Sequence, residues 1–400
     1  MLTDFLREKQ DGVFLLGHSS VLARVDGVHV LLDPMWGVEP YAPWWKVIPP
    51  QVDGEPCLPS VRECIVSHWH ADHCCDQILR RVPCSVTVMS GRPDLSSRIS
   101  RYKGLTEMAP GEWRRLPSGL RILFVKHPFN SVDSACFIKG KDFTVYFGND
   151  CFLDKDQLAP LKEKVGRVDV ALLGYAFVHY YPHLLDSLTD KEKNEETLRL
   201  THQTLKQSCE FMEIMRPTVA IPIGGNIYHV DGMASRLNKS LATPWNLSGA
   251  IRLITGGYYL KDGSIRRTVN SRGQEVTLES QYLKIVKDSF AGVKPMPFEE
   301  YEPRSLPISR LESRIEKIAH SVNHRFVVNG IIIDGETHTI SLHGPPKKPY
   351  TKFLFDKSVF LQWYKGEITF EQALGTRRFR YWREPNRYDL SSIEFYSKYL

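Results

Sequence analysis

The stretch SHWHADHCCD, residues 67 to 76, places three histidines and two aspartates within ten positions. It overlaps the end of RECIVSH, a short apolar run of strand character, so the cluster begins where a strand ends. A chance polar loop is the bland reading. Metal binding is the chemistry that needs imidazoles and acids this close together. His68 and His70 are two apart, and a continued strand direction projects both to one side. Asp72 and His73 follow where the chain turns towards a helix, and adjacent residues there diverge. The spacing therefore predicts two cation positions, one at His68 and His70, the other at Asp72 and His73. Zinc, manganese, iron and nickel all suit such donors.

Two pairs leave both positions short of ligands, and later strand ends offer more. His127 closes the apolar run RILFVKH, and Asp150 follows TVYFGN. His127 would complete the first position, and the two oxygens of Asp150 would bridge both. The competing readings are a histidine capping the turn before Pro128 and a turn acid after a strand.

The surrounding pattern is mixed. VFLLG and SVLARVDGVHVLLDP read as early strands, with Asp26-Gly27 as a tight hairpin. CCDQILRRV looks helical. RILFVKH, ACFIKG, TVYFGN, VDVALLGY and TVAIPIGG read as strands, and residues 190 to 216 have helical spacing. Early hairpins imply antiparallel pairing, so two sheets packed face to face with helices outside fit better than a doubly wound parallel sheet. The proline-rich stretch 291 to 307 reads as a linker or surface crossing. These signals predict an α/β catalytic domain over residues 1 to 290 and a small α+β appendage over 301 to 400. In the appendage, residues 309 to 322 read as a helix. Asn329-Gly330 and Asp334-Gly335 read as turns, and Thr369 with Gln372 as a capping box.

HxHxDH, then a strand-end histidine, then an aspartate about twenty residues later, resembles the metallo-β-lactamase fold superfamily over about residues 12 to 260. LLGHSSVLARVDGVHVLLDP is similar to the opening of the branch that includes ascorbate-phosphate lactonase and the N-acyl-phosphatidylethanolamine phospholipase. DPMWGVEPYAPWWKVIPP, SHWHADH, Asn149-Asp150-Cys151 and the tyrosine-proline-histidine at 181 to 183 are similar to CMP-N-acetylneuraminate hydroxylase and its bacterial relatives. The resemblance implies an αββα sandwich and two divalent metal ions (zinc, manganese or iron). It leaves the reaction open, since this fold hosts hydrolases, lactonases, nucleases and oxygen-using enzymes. The paired Cys-His boxes of a Rieske cluster are missing from this sequence, so an oxygenase would draw on an external electron donor. Many relatives place their last ligand in Pro-x-His. Here the stretch is IPIGGNIYH, with Gly224 at that position. His229 is the favoured replacement, His202 and His179 are alternatives, and a missing ligand is a fourth outcome.

Other residues carry two readings each. His18, in GHSS, either orients a ligand or hydrogen-bonds within the hairpin. Asp33 either hydrogen-bonds and orients a metal ligand, as the resemblance suggests, or is a plain turn acid. His179 and His183 flank aromatic residues in a loop expected to border the pocket, as substrate contacts or as a surface cluster. Cys74, Cys75 and Cys151 are expected to be small buried spacers rather than thiolate ligands. His320, His324, His338 and His343 in the appendage have no assigned role.

A net charge of +6 permits an anionic substrate without arguing for nucleic acid. The most basic patch, TRRFRYWR at 376 to 383, reads as a solvated edge strand or helix, with phosphate binding as the rival. There is no apolar run of membrane-spanning length, and the eight cysteines show no CxxC pair, so a cytoplasmic location is the default expectation. The expected activity is a metal-dependent hydrolase in which Asp72 or Asp150 takes up the released proton. The substrate expected is small and anionic, with an ester, lactone, amide or phosphoester centre. A dinuclear iron oxygenase tailoring a small metabolite is the alternative, and a non-catalytic binding protein is a third class. Covering the pocket rim and forming a homodimer contact are both open roles for residues 301 to 400.

Overall fold

The computed structural model describes all residues except 40, 42, 92, 102, 129–132, 231–237, 239–240, 271–272, 295, 304, 316–321, 343–345, 347 and 387–400. His320 and His343 lie outside the described residues, as does much of the second half of the helix expected over 309 to 322.

Period-two alternation builds the core of the first 266 residues. In the strand Gly12–Gly17, Val13 and Leu15 face one way, Phe14 and Leu16 the other. In Arg121–Lys126, Ile122 and Phe124 oppose Leu123 and Val125 in the same manner. Val13, Leu15, Val21, Val30 and Leu32 pack on Ile122, Phe124, Cys136, Val145 and Phe147, which joins two sheets face to face. The first sheet has eight strands, in the order 265–266, 258–260, 12–17, 20–25, 28–32, 61–65, 86–89 and 105–108. The second has six, in the order 219–223, 170–174, 144–149, 134–139, 121–126 and 114–115. Both are mixed, with antiparallel hairpins early and parallel pairs where helices intervene.

Each outer face is covered by helices. Leu2, Phe5, Ile78, Leu79, Leu95 and Ile99 pack on the first sheet. Lys155–Val165 and Asp190–Met215 cover the second through Leu158, Leu161, Phe211 and Met215. Both of these helices start with complete capping boxes, at Asp154 with Gln157 and at Thr189 with Glu192. The layers run helix, sheet, sheet, helix, the sandwich architecture that the metallo-β-lactamase resemblance implies.

One helix departs from the expectation. CCDQILRRV yields only a single turn, Asp76–Leu79. Pro83 lies just beyond, and a proline disfavours helical backbone in the residue before it.

Beyond the linker, a five-stranded sheet forms in the order 339–342, 331–334, 325–328, 350–355 and 379–384. Asn329 and Gly330 take φ of 46° and 86° in the hairpin between the strands Arg325–Val328 and Ile331–Asp334. Thr369 and Gln372 form the capping box of the helix Phe370–Gly375. The hydrophobic core here does not stop at residue 301. Phe353, Phe360, Trp363, Phe370 and Phe379 share one cluster with Tyr41, Trp44, Trp45, Tyr180, Leu185 and Ile227. Two backbone hydrogen bonds, Asp186 N–H to the Tyr381 carbonyl (3.0 Å) and Tyr381 N–H to the Leu184 carbonyl (3.1 Å), stitch the two parts together.

The basic patch needs a correction. Phe379–Glu384 is an edge strand as expected, but Arg377 and Arg378 just before it are 8% and 1% exposed. Arg378 is paired with Asp356 at 2.6 Å and lies over the Trp44 ring. Arg377 lies over Trp45 and Tyr180. Aromatic faces and a buried carboxylate make burial of these cations tolerable.

Candidate metal centre

Six segments arrive at one end of the sandwich, each by leaving a strand at its carboxyl end. Gly12–Gly17 leads to His18, Val28–Leu32 to Asp33, and Val61–Ile65 to the cluster at 67–73. Arg121–Lys126 leads to His127, Thr144–Asn149 to Asp150, and Val219–Ile223 to Gly224. Four backbones here are left-handed: His18 at φ 46°, Asp33 at 39°, Asn149 at 49° and Gly224 at 78°. Non-glycine residues adopt this region rarely, and such strain concentrates at functional sites.

The donor atoms of His68, His70 and Asp150 all lie within 4.8 Å of one another. Those of His18, Asp72 and His73 do so as well. The two sets touch. His73 Nε2 is 3.4 Å from Asp72 Oδ2 and 3.5 Å from Asp150 Oδ2, and His68 Nε2 is 3.8 Å from Asp150 Oδ2. Asp133 Oδ1 lies 3.9 Å from His68 Nε2. Asp133 precedes the strand Ser134–Lys139, and nothing in its spacing singles it out from other strand-flanking acids.

Asp33 also lies near His68 and His73, but its oxygens are already engaged. Oδ1 accepts from the Ser67 backbone N–H at 2.7 Å. Oδ2 accepts from Ser67 Oγ and Asn149 Nδ2, both at 2.6 Å, and lies 2.9 Å from His73 Nδ1. A carboxylate so committed orients His73, pointing its other nitrogen at Asp72 and Asp150.

The charges are crowded. Burial opposes ionisation of Asp72, yet His73 and His18 outweigh it and hold that carboxyl well below its usual range. Burial, with the like charges of Asp133 and Asp72 against the pull of His73, pushes Asp150 up to about 6. Divalent cations suit this set of imidazoles and acids, because they relieve the repulsion among the carboxylates. His18 Nδ1 is buried without a hydrogen-bond partner among the described residues, and so is Glu371 Oε2.

The remaining expected residues lie outside the two donor sets. His127 donates its backbone N–H to the Asp133 carbonyl at 3.2 Å, and its side chain joins neither donor set. His229 joins neither set. It is 2% exposed and sits edge-on to Trp45, 5.4 Å between centroids. Burial, then the charges of Arg377 and His183, keeps it neutral, well below the usual histidine range. His202 is exposed on the helix Asp190–Met215. His183 contacts Thr197 Oγ1 at 2.9 Å, beneath that same helix. His179 lies nearer the centre. Burial first, then Arg377 and His70, push it down to about 3, and its Nδ1 accepts from the Tyr181 N–H at 3.1 Å. Cys74, Cys75 and Cys151 are buried, and burial pushes the Cys74 thiol up to about 12, so it packs as an apolar group.

Three further side chains approach the centre, two of them from the far end of the chain: Tyr41, Glu371 and Arg377, none of which the sequence assigns to it. Tyr41 donates its hydroxyl to Glu371 Oε1 at 2.5 Å and lies 3.5 Å from Asp72 Oδ1. Burial, with repulsion from Asp72, raises the Glu371 pKa against the pull of His70. Arg377 donates to the carbonyls of Leu374 (3.0 Å) and Val178 (3.5 Å), and its Nε has no partner among the described residues. Burial lowers its pKa, against the attraction of Tyr41, Tyr180, Asp72 and Glu371. Arg377 is also left-handed, at φ 56°.

No family model matches this sequence, and no curated protein matches it. Solved structures do. One is a metallo hydrolase from the archaeon Ignicoccus hospitalis, at 16% identity over 62% of this chain and 97% of that one, with a TM-score of 0.42. Another is a possible metal-dependent hydrolase from Veillonella parvula, at 12% identity over 63% and 99%, with a TM-score of 0.44. A third is CmlA, a diiron β-hydroxylase from Streptomyces venezuelae, at 15% identity over 65% of this chain and 55% of that one, with a TM-score of 0.41. A variant of that hydroxylase is matched over 46% of its length, so this chain spans about half of it. At such identities a likeness concerns the fold alone. No helix among the described residues is long and apolar enough to cross a membrane.

Proposed function

We propose that this chain is a metal-dependent hydrolase acting on a small anionic substrate with an ester, lactone, amide or phosphoester centre. One observation carries the reading: two sets of imidazole and carboxylate donors, drawn from separate strand ends, touch through His73 and Asp150. His68, His70 and Asp150 would hold one cation, and Asp72 and His73 belong to the other. A divalent ion there supplies a water whose pKa falls from about 16 to about 7 in the best-known zinc case.

The chain's own residues do the rest. Of the two acids, Asp150, which burial pushes up to about 6, is better suited than Asp72 to accept the proton released on attack. Tyr41 holds a proton between Glu371 and Asp72. Arg377 has aromatic faces on two sides and an uncommitted Nε, and it would hold the substrate's anionic group. Trp45, Tyr180 and the buried cluster beneath them keep bulk water from that side.

A second reading, a dinuclear iron oxygenase fed by an external reductant, has specific support. Each grouping joins two histidines to one carboxylate, donors that suit iron as well as zinc. The same composition also occurs at catalytic zinc. Elemental analysis of protein expressed with iron, zinc and manganese all available separates the two. Zinc or manganese with turnover of lactones or phosphoesters under argon supports the hydrolase. Iron with turnover that needs oxygen and a reductant selects the oxygenase. Protein that binds no metal defeats both.

A further inference from the structure

The second cation position has only Asp72 and His73 from the histidine cluster, which leaves it short of a third donor. Gly224, where a ligand was expected, has φ of 78°, and a Cβ built on it would come within 3.1 Å of Asn149 Oδ1 and 3.6 Å of Asp150 Oδ1. That backbone is shaped to carry no side chain. Its N–H donates at 3.2 Å to the carbonyl of His18, so His18 stands directly beside the gap.

His18 occupies the tight turn between the strands Gly12–Gly17 and Ser20–Val25, and its left-handed backbone is costly for a non-glycine residue. Its ring is buried, with Nε2 3.1 Å from Asp72 Oδ2 and its centroid 5.4 Å from that of His73. Its Nδ1 has no partner among the described residues, so the ring is not tied into the hairpin by hydrogen bonds at both nitrogens. His229, by contrast, faces Trp45 and the charge of Arg377.

We infer that His18 supplies the imidazole that Gly224 lacks, so that His18, Asp72 and His73 together hold the second divalent cation. The inference rests on the metal-dependent reading above and adds the ligand that completes it.

The test uses full-length protein stripped by chelator and titrated with Co2+, followed by d–d absorbance and calorimetry. Wild type is expected to take up two equivalents. His18→Gln keeps a hydrogen-bond donor for Asp72 but removes the imidazole. It should retain the first equivalent and weaken the second by more than about 100-fold, beyond the roughly 10–100-fold typical of an orienting partner. His229→Ala should retain both. In wild type itself, labelled with 15N in its histidines, the His18 ring should show a metal-induced shift on Zn2+ addition. That readout needs no variant to fold. An unshifted His18 ring, or His18→Gln binding two equivalents as wild type does, overturns the inference. So does a wild-type protein that binds only one ion. A wild type that binds none refutes the metal reading itself.

Discussion

The hydroxyl of Tyr41 and the carboxylate of Glu371, 330 positions apart in sequence, meet at 2.5 Å beside Asp72. This contact brings the C-terminal unit to the rim of the metal centre. Both groups are buried, so removing either leaves a polar atom without water to replace its partner. Glu371→Ala should destabilise the fold by about 1–3 kcal/mol, and Tyr41→Phe by a similar amount. The double variant should cost less than the sum. Urea unfolding of all four proteins measures this cycle, and strictly additive losses would show that the contact is energetically silent.

Gly375 offers a steric probe of the same docking. A Cβ there would overlap the Tyr41 ring at Cε1. Gly375→Ala must displace the Tyr41 ring, at a cost of about 1–3 kcal/mol typical of overpacking. Turnover should fall with it, while metal content stays at the wild-type level. Unchanged thermal stability and turnover would mean that the two parts do not meet in solution as described.

Arg377 is expected to act on substrate rather than on metal. Arg377→Lys keeps the charge but loses the planar fork, and should raise KM for anionic substrates by roughly tenfold, about 1.4 kcal/mol. A neutral analogue of the substrate should be affected far less. Equal losses for the charged and neutral compounds would assign Arg377 a purely structural role.

Asp33→Asn removes the carboxylate that orients His73 while preserving size. Metal affinity should drop by roughly 10–100-fold, as for other partners that position a ligand. Competition with a chromophoric chelator measures it, and wild-type affinity in the variant would refute the orienting role.

His29 predicts an acid limb that is separate from the metal centre. Burial, then the Arg24 guanidinium, pushes it from the usual 6.5 down to about 4, and Arg24 Nε donates to its Nε2 at 3.0 Å. The unfolded chain takes up a proton on this ring below about 6.5, whereas the folded chain resists until about 4. Stability present at neutral pH is therefore lost as pH falls through that window, by about 2–3 kcal/mol. His29→Gln should lose less between pH 7 and pH 5 than wild type. Parallel thermal-melting curves for the two would contradict this.

The two-sheet sandwich was legible because alternating residues such as Val13 and Phe14 commit opposite faces to different layers, and period-two burial is a local signal. The cluster at 67–73 was legible for the same reason, since its spacing sits within one turn of chain. Asp150 could be read from its place at the end of an apolar strand. Asp133, Tyr41, Glu371 and Arg377 could not. Tyr41 lies in the tryptophan-rich stretch at 33–50, Glu371 inside the Thr369–Gln372 capping box and Arg377 in the basic patch at 376–383, but none of these local signals aims a side chain at the cluster at 67–73; that is decided where distant segments pack. Likewise the resemblance marked Gly224 as the position where many relatives carry a ligand, with His229 as the favoured replacement, but only the tertiary structure put His18 beside it. Spacing reports what one stretch of chain presents, whereas a metal centre is set by distances between stretches, and those depend on how the sheets and the C-terminal core bury their apolar faces.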